Sequence, residues 1–146
     1  MSVINLTPHS VQVYSQESFV KLEKTNPTTW LADSVNGEPL ANYNSEGVAR
    51  ITTNVEGEGD TTLGNHGYGC PVIPDSVVPL VATTYGKATG IPEGVKADDV
   101  LIVSLPMKSM AVASGHPLAF QMVSPFGVVR SRANSSLVLG CMGFTY

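Results

Sequence analysis

The chain contains few charged residues. Lys, Arg, Asp and Glu make up 14% of its 146 residues, against about a quarter in an ordinary soluble domain. A free-standing domain carries more charged surface than this composition supplies, so we expect other subunits to cover part of the surface. The net charge is −4 and no run of Lys or Arg occurs, which excludes the basic footprint that nucleic-acid binding requires.

Cysteines and long apolar runs are also scarce. Cys70 and Cys141 are too few for a disulfide scaffold, and we expect two free buried thiols, with a single bridge as the alternative. The N-terminus has neither a basic segment nor a long apolar one, which predicts no signal peptide and no membrane partner. The length suits a single domain over residues 1–146 with a core of its own.

The best-defined secondary structure lies between residues 99 and 114. Residues 100–103 read Val-Leu-Ile-Val, and an unbroken apolar run predicts a central strand that is covered on both faces. Pro106 suits the first turn of a helix and not the middle of a sheet. Apolar residues then recur at helical spacing, so a short helix that ends near Gly115 should follow the central strand.

Elsewhere the pattern predicts short strands and many turns. Residues 3–14 should form two strand pieces around Pro8, or one bulged edge strand, with 19–23 pairing to them as a hairpin. Further strands are predicted at 48–55, 77–85 and 118–123, with a final hairpin from 128 to 144 and long loops at 25–44 and 56–76. The predicted fold is mainly β, a single-domain sandwich or partly open barrel of about seven to eight short strands with one short helix after the central strand.

Several short motifs, taken in order, resemble a family of small uncharacterised proteins encoded by tailed phages, prophages and some bacteria. The chain opens with Asn-Leu-Thr-Pro-His at 5–9. The resemblance continues with Gly-Val-Ala-Arg at 47–50, Tyr-Gly at 85–86, Ile-Pro at 91–92, Ile-Val-Ser at 102–104, Ser-Pro at 124–125, Arg130 and Gly-Cys at 140–141. Members tend to carry Arg-x-Asp before the Ser-Pro, whereas this chain has Ala-Phe-Gln at 119–121. The resemblance implies a phage or prophage origin and no particular activity.

Two residues stand out as candidates for binding or chemistry. His9 follows a proline that fixes the backbone, and an imidazole can act as a general base or bind a ligand phosphate near neutral pH. The alternative is a structural histidine whose ring caps the bend. Arg50 lies in an apolar strand, where its charge must be paired or face a groove; an ion pair with Asp98 or Asp99 is favoured over an anion pocket.

These candidates define two predicted sites. A ligand pocket would be lined by His9, Arg50, Tyr85 and Arg130. Arg130 and Arg132 alternate along one strand, which favours a subunit contact over a solvated face, and the long loop at 25–44 has two apolar anchors of its own. The predicted interface residues are therefore Trp30, Leu31, Arg130 and Arg132.

Motifs of catalysis and metal binding are missing from the sequence. His66, Cys70 and His116 do not have the spacing of zinc ligands. Ser104 follows a strand, but its surroundings are not a nucleophile elbow, and the glycines at 57–69 do not form a Walker loop. We expect no catalytic residue, no metal and no cofactor.

These observations favour a structural protein of a tailed-phage particle. Low charge, β-rich patterning and long Asn-, Thr- and Pro-rich segments suit a capsid decoration or cement subunit that stabilises neighbouring capsomers. Its partners would be the major capsid protein or another virion protein and further copies of itself, and it would reside in the virion after assembly in the host cytoplasm. The alternative is a phage-encoded protein that binds or sequesters a small ligand such as a nucleotide; an enzyme using the same pocket is less favoured.

Overall fold

The computed structural model describes residues 1–56 and 82–146. The chain divides into two compact units, one formed by residues 1–50 and 88–146 and the other by residues 51–87. Most of the predicted loop at 56–76 and the first part of the predicted strand at 77–85 lie outside the described residues. The single domain over 1–146 stays a prediction.

The described residues are mainly extended, as predicted, with one α-helix and two short 3₁₀ turns at Gln16–Ser18 and Ala119–Gln121. In chain order the elements are β1 (Val3–Asn5), β2 (Val11–Val13), β3 (Phe19–Val20), β4 (Glu23–Asn26), β5 (Thr29–Ala32), β6 (Ser34–Val35), β7 (Ala41–Tyr43), β8 (Arg50–Glu56), β9 (Ala82–Thr89), β10 (Val100–Ile102), α1 (Leu105–Ala113), β11 (Met122–Phe126), β12 (Val129–Ser131), β13 (Val138–Gly140) and β14 (Gly143–Thr145). These strands are shorter and more numerous than predicted, and the described residues form several small sheets and no closed barrel.

The predicted central strand is confirmed. β10 lies inside a sheet of order β1-β10-β11-β14, with parallel neighbours on both sides. Leu101, Ile102 and Val103 are completely buried. An apolar run with a neighbour on each edge and no wet face therefore forms the middle of the larger unit.

The helix follows as predicted. The Ser104 hydroxyl accepts a hydrogen bond from the Met107 backbone N–H at 3.2 Å, which caps the N-terminus of α1. Met107 and Ala111 are buried and α1 packs against β11. The chain leaves the helix through Gly115, whose φ of +69° suits a glycine.

The segment predicted as a loop at 25–44 contains strands. β5 runs parallel to β12 within a second sheet of order β13-β12-β5-β4, and β4 is its exposed edge. β7 pairs with β2, and β3 pairs with β6, so the predicted hairpin between residues 19–23 and 3–14 is not formed. The side chains on β4 are polar and exposed, so they show no apolar strand pattern, and the pairing of β5 depends on a segment far away in the sequence.

Candidate functional site

The motif at residues 4–9 folds around a buried asparagine. The Asn5 amide nitrogen donates to the backbone oxygens of His9 and Tyr43, both at 2.8 Å. Its amide oxygen accepts from the Thr7 backbone N–H at 3.0 Å and from the Thr7 hydroxyl at 2.7 Å. Because the Asn5 side chain is completely buried, all four hydrogen-bonding positions of its amide are satisfied inside the protein.

Asn5 holds this bend. The sequence alone allows a His9 ring that caps the bend as one alternative for that residue. The His9 side chain is exposed, and it is the His9 backbone oxygen that Asn5 and Thr7 hold. No described residue hydrogen-bonds the imidazole. Asn5 was missed, although an asparagine that binds the backbone two residues onward is a recognised turn signal.

A groove of about 510 Å³ lies beside this turn in the larger unit. Small-molecule sites commonly have volumes of about 300–1,000 Å³. The groove is lined by residues from the turn before β2, from β2, from β11 and from the β12–β13 hairpin with its flanking residues. His9 and Arg130, two members of the predicted ligand set, both line it.

One wall of the groove forms where β2 meets the end of β13. The Cys141 N–H donates to the Gln12 backbone oxygen at 2.9 Å, and the Cys141 oxygen accepts from the Tyr14 N–H at 2.9 Å. Gly140 allows this approach, because a Cβ at that position would stand 2.6 Å from the Tyr14 ring. Cys141 is a free, buried thiol, as predicted, and burial raises its pKa. Cys70 lies outside the described residues.

The two arginines near the C-terminus have different surroundings. Arg132 Nη1 lies 2.6 Å from Asp33, its Nη2 lies 3.3 Å from Glu23, and Nη2 also donates to the Lys21 backbone oxygen at 2.8 Å. Arg130 Nη1 donates to the Ser135 backbone oxygen at 3.1 Å. Within the described part of the chain, no carboxylate is paired with Arg130.

The described lining of this groove does not include the other two predicted ligand residues, Arg50 and Tyr85. Arg50 is exposed at the start of β8, and Tyr85 is 40% exposed on β9 in the smaller unit. The expected ion pair of Arg50 is not formed. Asp98 pairs instead with the N-terminal amine at 3.0 Å, and Asp99 accepts backbone hydrogen bonds.

Three of the four predicted interface residues, Trp30, Leu31 and Arg130, lie in one sheet, and Arg132 directly follows the end of β12. Trp30 is in register with Val129, and Leu31 is in register with Arg130. The Trp30 ring packs against the buried cluster that includes Val129, and the Lys24 amine lies 5.3 Å from its centroid. β5 and β12 therefore bring Trp30 and Leu31 next to Arg130, while their role as subunit contacts stays a prediction.

Gln121, at the end of the Ala119–Gln121 turn, is buried. Its amide nitrogen donates to the backbone oxygens of Lys96 and Asp99 at 2.8 and 2.9 Å. The Asp99 carboxylate accepts from the Lys96 and Ser2 backbone N–H groups at 2.8 and 2.9 Å, and these bonds lower its pKa. This cluster joins the N-terminus to the start of β10 and does not open into the groove.

The described residues contain no group of three or more His, Cys, Asp and Glu side chains arranged to hold a metal ion. His66 lies outside them. No helix in the described ranges is both long and apolar enough to cross a bilayer. Comparison with protein-family models, with curated proteins and with solved structures gave no match.

Proposed function

We propose that this protein is a structural component of a tailed-phage particle, a capsid decoration or cement subunit that binds across neighbouring capsomers. The resemblance of its motifs to small phage-encoded proteins supports the origin. The low charge supports a surface that is covered in the assembly.

The observation that carries the proposal is a set of exposed apolar side chains on α1 and the 3₁₀ turn that follows it. Leu105 is 60% exposed, Val112 is 61% exposed and Phe120 is 79% exposed. Leu105 and Val112 are seven residues apart and therefore lie on the same side of the helix, away from buried Met107. Phe120 belongs to the 3₁₀ turn, which contacts α1. We call Leu105, Val112 and Phe120 together the helix face.

The mechanism would be mechanical. A capsomer that covered the helix face would remove apolar side chains from water, and each fully buried one is worth about 1.5–3 kcal/mol. Several such contacts, repeated around a local symmetry axis by a dimer or trimer, would hold adjacent capsomers together.

The test is attachment to phage particles that lack the protein. Purified protein is mixed with such particles and sedimented, and the bound copies per particle are counted. We expect saturable attachment at a fixed stoichiometry. The double variant Val112→Asp/Phe120→Asp should lose attachment, because it places two carboxylates in the buried contact.

Leu40→Asp is the matched control. Leu40 is 72% exposed and lies on neither α1 nor the 3₁₀ turn, so this variant should attach as the wild type does. Circular dichroism establishes that all variants are folded. Failure of the wild-type protein to sediment with particles would overturn the proposal, and equal loss in both variants would overturn the helix face as the contact.

We propose small-ligand binding, with a nucleotide as the example, as the second candidate function. The specific observation in its favour is that His9 and Arg130 line one groove of suitable volume. A panel of nucleotides should then raise the thermal midpoint of the purified protein. No stabilisation by any member of the panel would remove nucleotides as ligands.

A further inference from the structure

Three of the side-chain donors that line the groove are unpaired in the described part of the chain. The imidazole of His9, the amide nitrogen of Gln12 and the outer nitrogen Nη2 of Arg130 have no hydrogen-bond partner among the described residues. The hydroxyls of Ser10 and Ser136, by contrast, already contact asparagine oxygens. The free donors come from the turn before β2, from β2 and from β12, and all three line the same groove.

The charge of the described lining is positive. Arg130 is its one permanently charged residue, and it includes no carboxylate. The chain as a whole carries a net charge of −4, and Arg132, two residues further on, is neutralised by Asp33 and Glu23. An arginine left without a carboxylate beside other donors is the arrangement that recognises an anion.

Apolar side chains complete the lining. They come from β11, from the residue before β12 and from β13, and comprise Pro125, Val128, Val138 and Leu139. An inorganic anion alone would leave the apolar part of the lining exposed to water. A ligand with an apolar or aromatic body and one anionic group would cover both parts of the lining.

We infer that the groove binds a phosphate monoester with an aromatic or apolar body, the phosphate on Arg130, His9 and Gln12 and the body against the apolar wall. A guanidinium binds two phosphate oxygens at once, and a phosphate has oxygens left for the other donors. This inference rests on the second candidate function, small-ligand binding, and names the chemistry of the ligand.

The test is calorimetric titration with phenyl phosphate, with phenol, benzoate and inorganic phosphate as comparison ligands. We expect phenyl phosphate to bind at least about tenfold more tightly than each of the other three. Arg130→Gln should weaken phenyl phosphate about tenfold or more. Arg132→Gln is the matched control and should leave the affinity unchanged, because the Arg132 guanidinium is paired with carboxylates.

Each result is decisive. If phenol binds as tightly as phenyl phosphate, recognition of the phosphate group is overturned, while small-ligand binding is supported. Equal affinity for benzoate overturns phosphate as the preferred anion, and equal affinity for inorganic phosphate overturns the role of the apolar wall. Equal weakening by both arginine variants overturns the groove as the site. If no probe and no nucleotide binds, the inference and the second candidate function fall together.

Discussion

Asn5 shows how one side chain organises a turn. Its amide joins β1 to the His9 carbonyl and to the end of β7 through Tyr43, and it does so without contact with solvent. The Ser45 hydroxyl adds a bond to the Thr7 backbone oxygen. The hydrogen bonds of Asn5 thus account for the fold of the opening motif, and the turn leaves the His9 side chain exposed.

Replacement of Asn5 should therefore be severe. Asn5→Leu keeps the approximate volume but removes all four bonds of the amide and leaves the Tyr43 backbone oxygen and the Thr7 backbone N–H without this partner. Each buried unsatisfied group costs about 1–3 kcal/mol. We expect a loss of about 3 kcal/mol or more in the free energy of unfolding, measured in urea. Asn44→Ala is the control, because exposed Asn44 accepts one long bond of 3.4 Å from Ser10; a loss as large as that of Asn5→Leu would contradict the assignment.

Two serines of this chain should respond in opposite ways to alanine. Ser124 is 1% exposed and its hydroxyl has no hydrogen-bond partner among the described residues. Ser124→Ala removes an unsatisfied polar group, so stability should be unchanged or rise by up to about 1 kcal/mol. Ser104→Ala removes the cap of α1 and should cost about 1 kcal/mol. Urea unfolding of the two variants compares them, and marked destabilisation by Ser124→Ala would mean that its hydroxyl is satisfied in solution.

At the scale of elements, β10 and α1 carry the larger unit. The strand is buried on both faces and leads directly into a helix whose cap is the next polar residue. A charge in the strand has no polar surroundings to receive it. Ile102→Asp should therefore abolish soluble folding.

The control for Ile102→Asp is Leu105→Asp, three residues further on. Leu105 is 60% exposed at the first position of α1, where a carboxylate is favourable to the helix dipole. Soluble expression and circular dichroism compare the two variants. Soluble, folded Ile102→Asp protein would show that the strand is not enclosed.

The start of β10 should make stability sensitive to acid. Backbone hydrogen bonds from Lys96 and Ser2 lower the pKa of Asp99 below its ordinary value of 3.8. A carboxyl whose folded pKa is depressed contributes stability above its unfolded pKa, and that contribution is lost as the pH falls through the folded value. Thermal midpoints measured between about pH 2 and pH 7 should therefore fall less steeply for Asp99→Asn than for the wild type at the acid end. Parallel curves for the two proteins would contradict this account.

At the scale of the whole molecule, low charge and exposed apolar side chains predict self-association. The chain has a mass of 15.4 kDa, and light scattering should give a larger, discrete mass that corresponds to a dimer or trimer. The double variant Val112→Asp/Phe120→Asp distinguishes self-association from the binding of capsomers. If the helix face binds capsomers, this variant keeps the oligomer and loses the particle; a monomeric wild-type protein would contradict the predicted oligomer.

Local signals predicted the elements that depend on neighbours in sequence. The buried strand at 100–102, the helix after it and the antiparallel pairing of β12 with β13 all follow from apolar runs, a proline and a short polar turn. The bounds of β11 were less accurate, because residues 119–121 form a 3₁₀ turn before the strand begins. Gln121 is buried there and donates to the backbone oxygens of Lys96 and Asp99, and no local sequence pattern predicts these bonds.

By itself the sequence determined the β-rich class, the central strand, the helix and the net negative charge, because each depends on composition or on residues a few positions apart. The tertiary structure alone decided which strands distant in the sequence pair and which candidate residues meet. Leu31 comes beside Arg130, and His9 shares a groove with Arg130, across about a hundred residues of chain. Arg130 and Arg132 look alike in the sequence; whether each guanidinium pairs with a carboxylate depends on contacts that only folding creates.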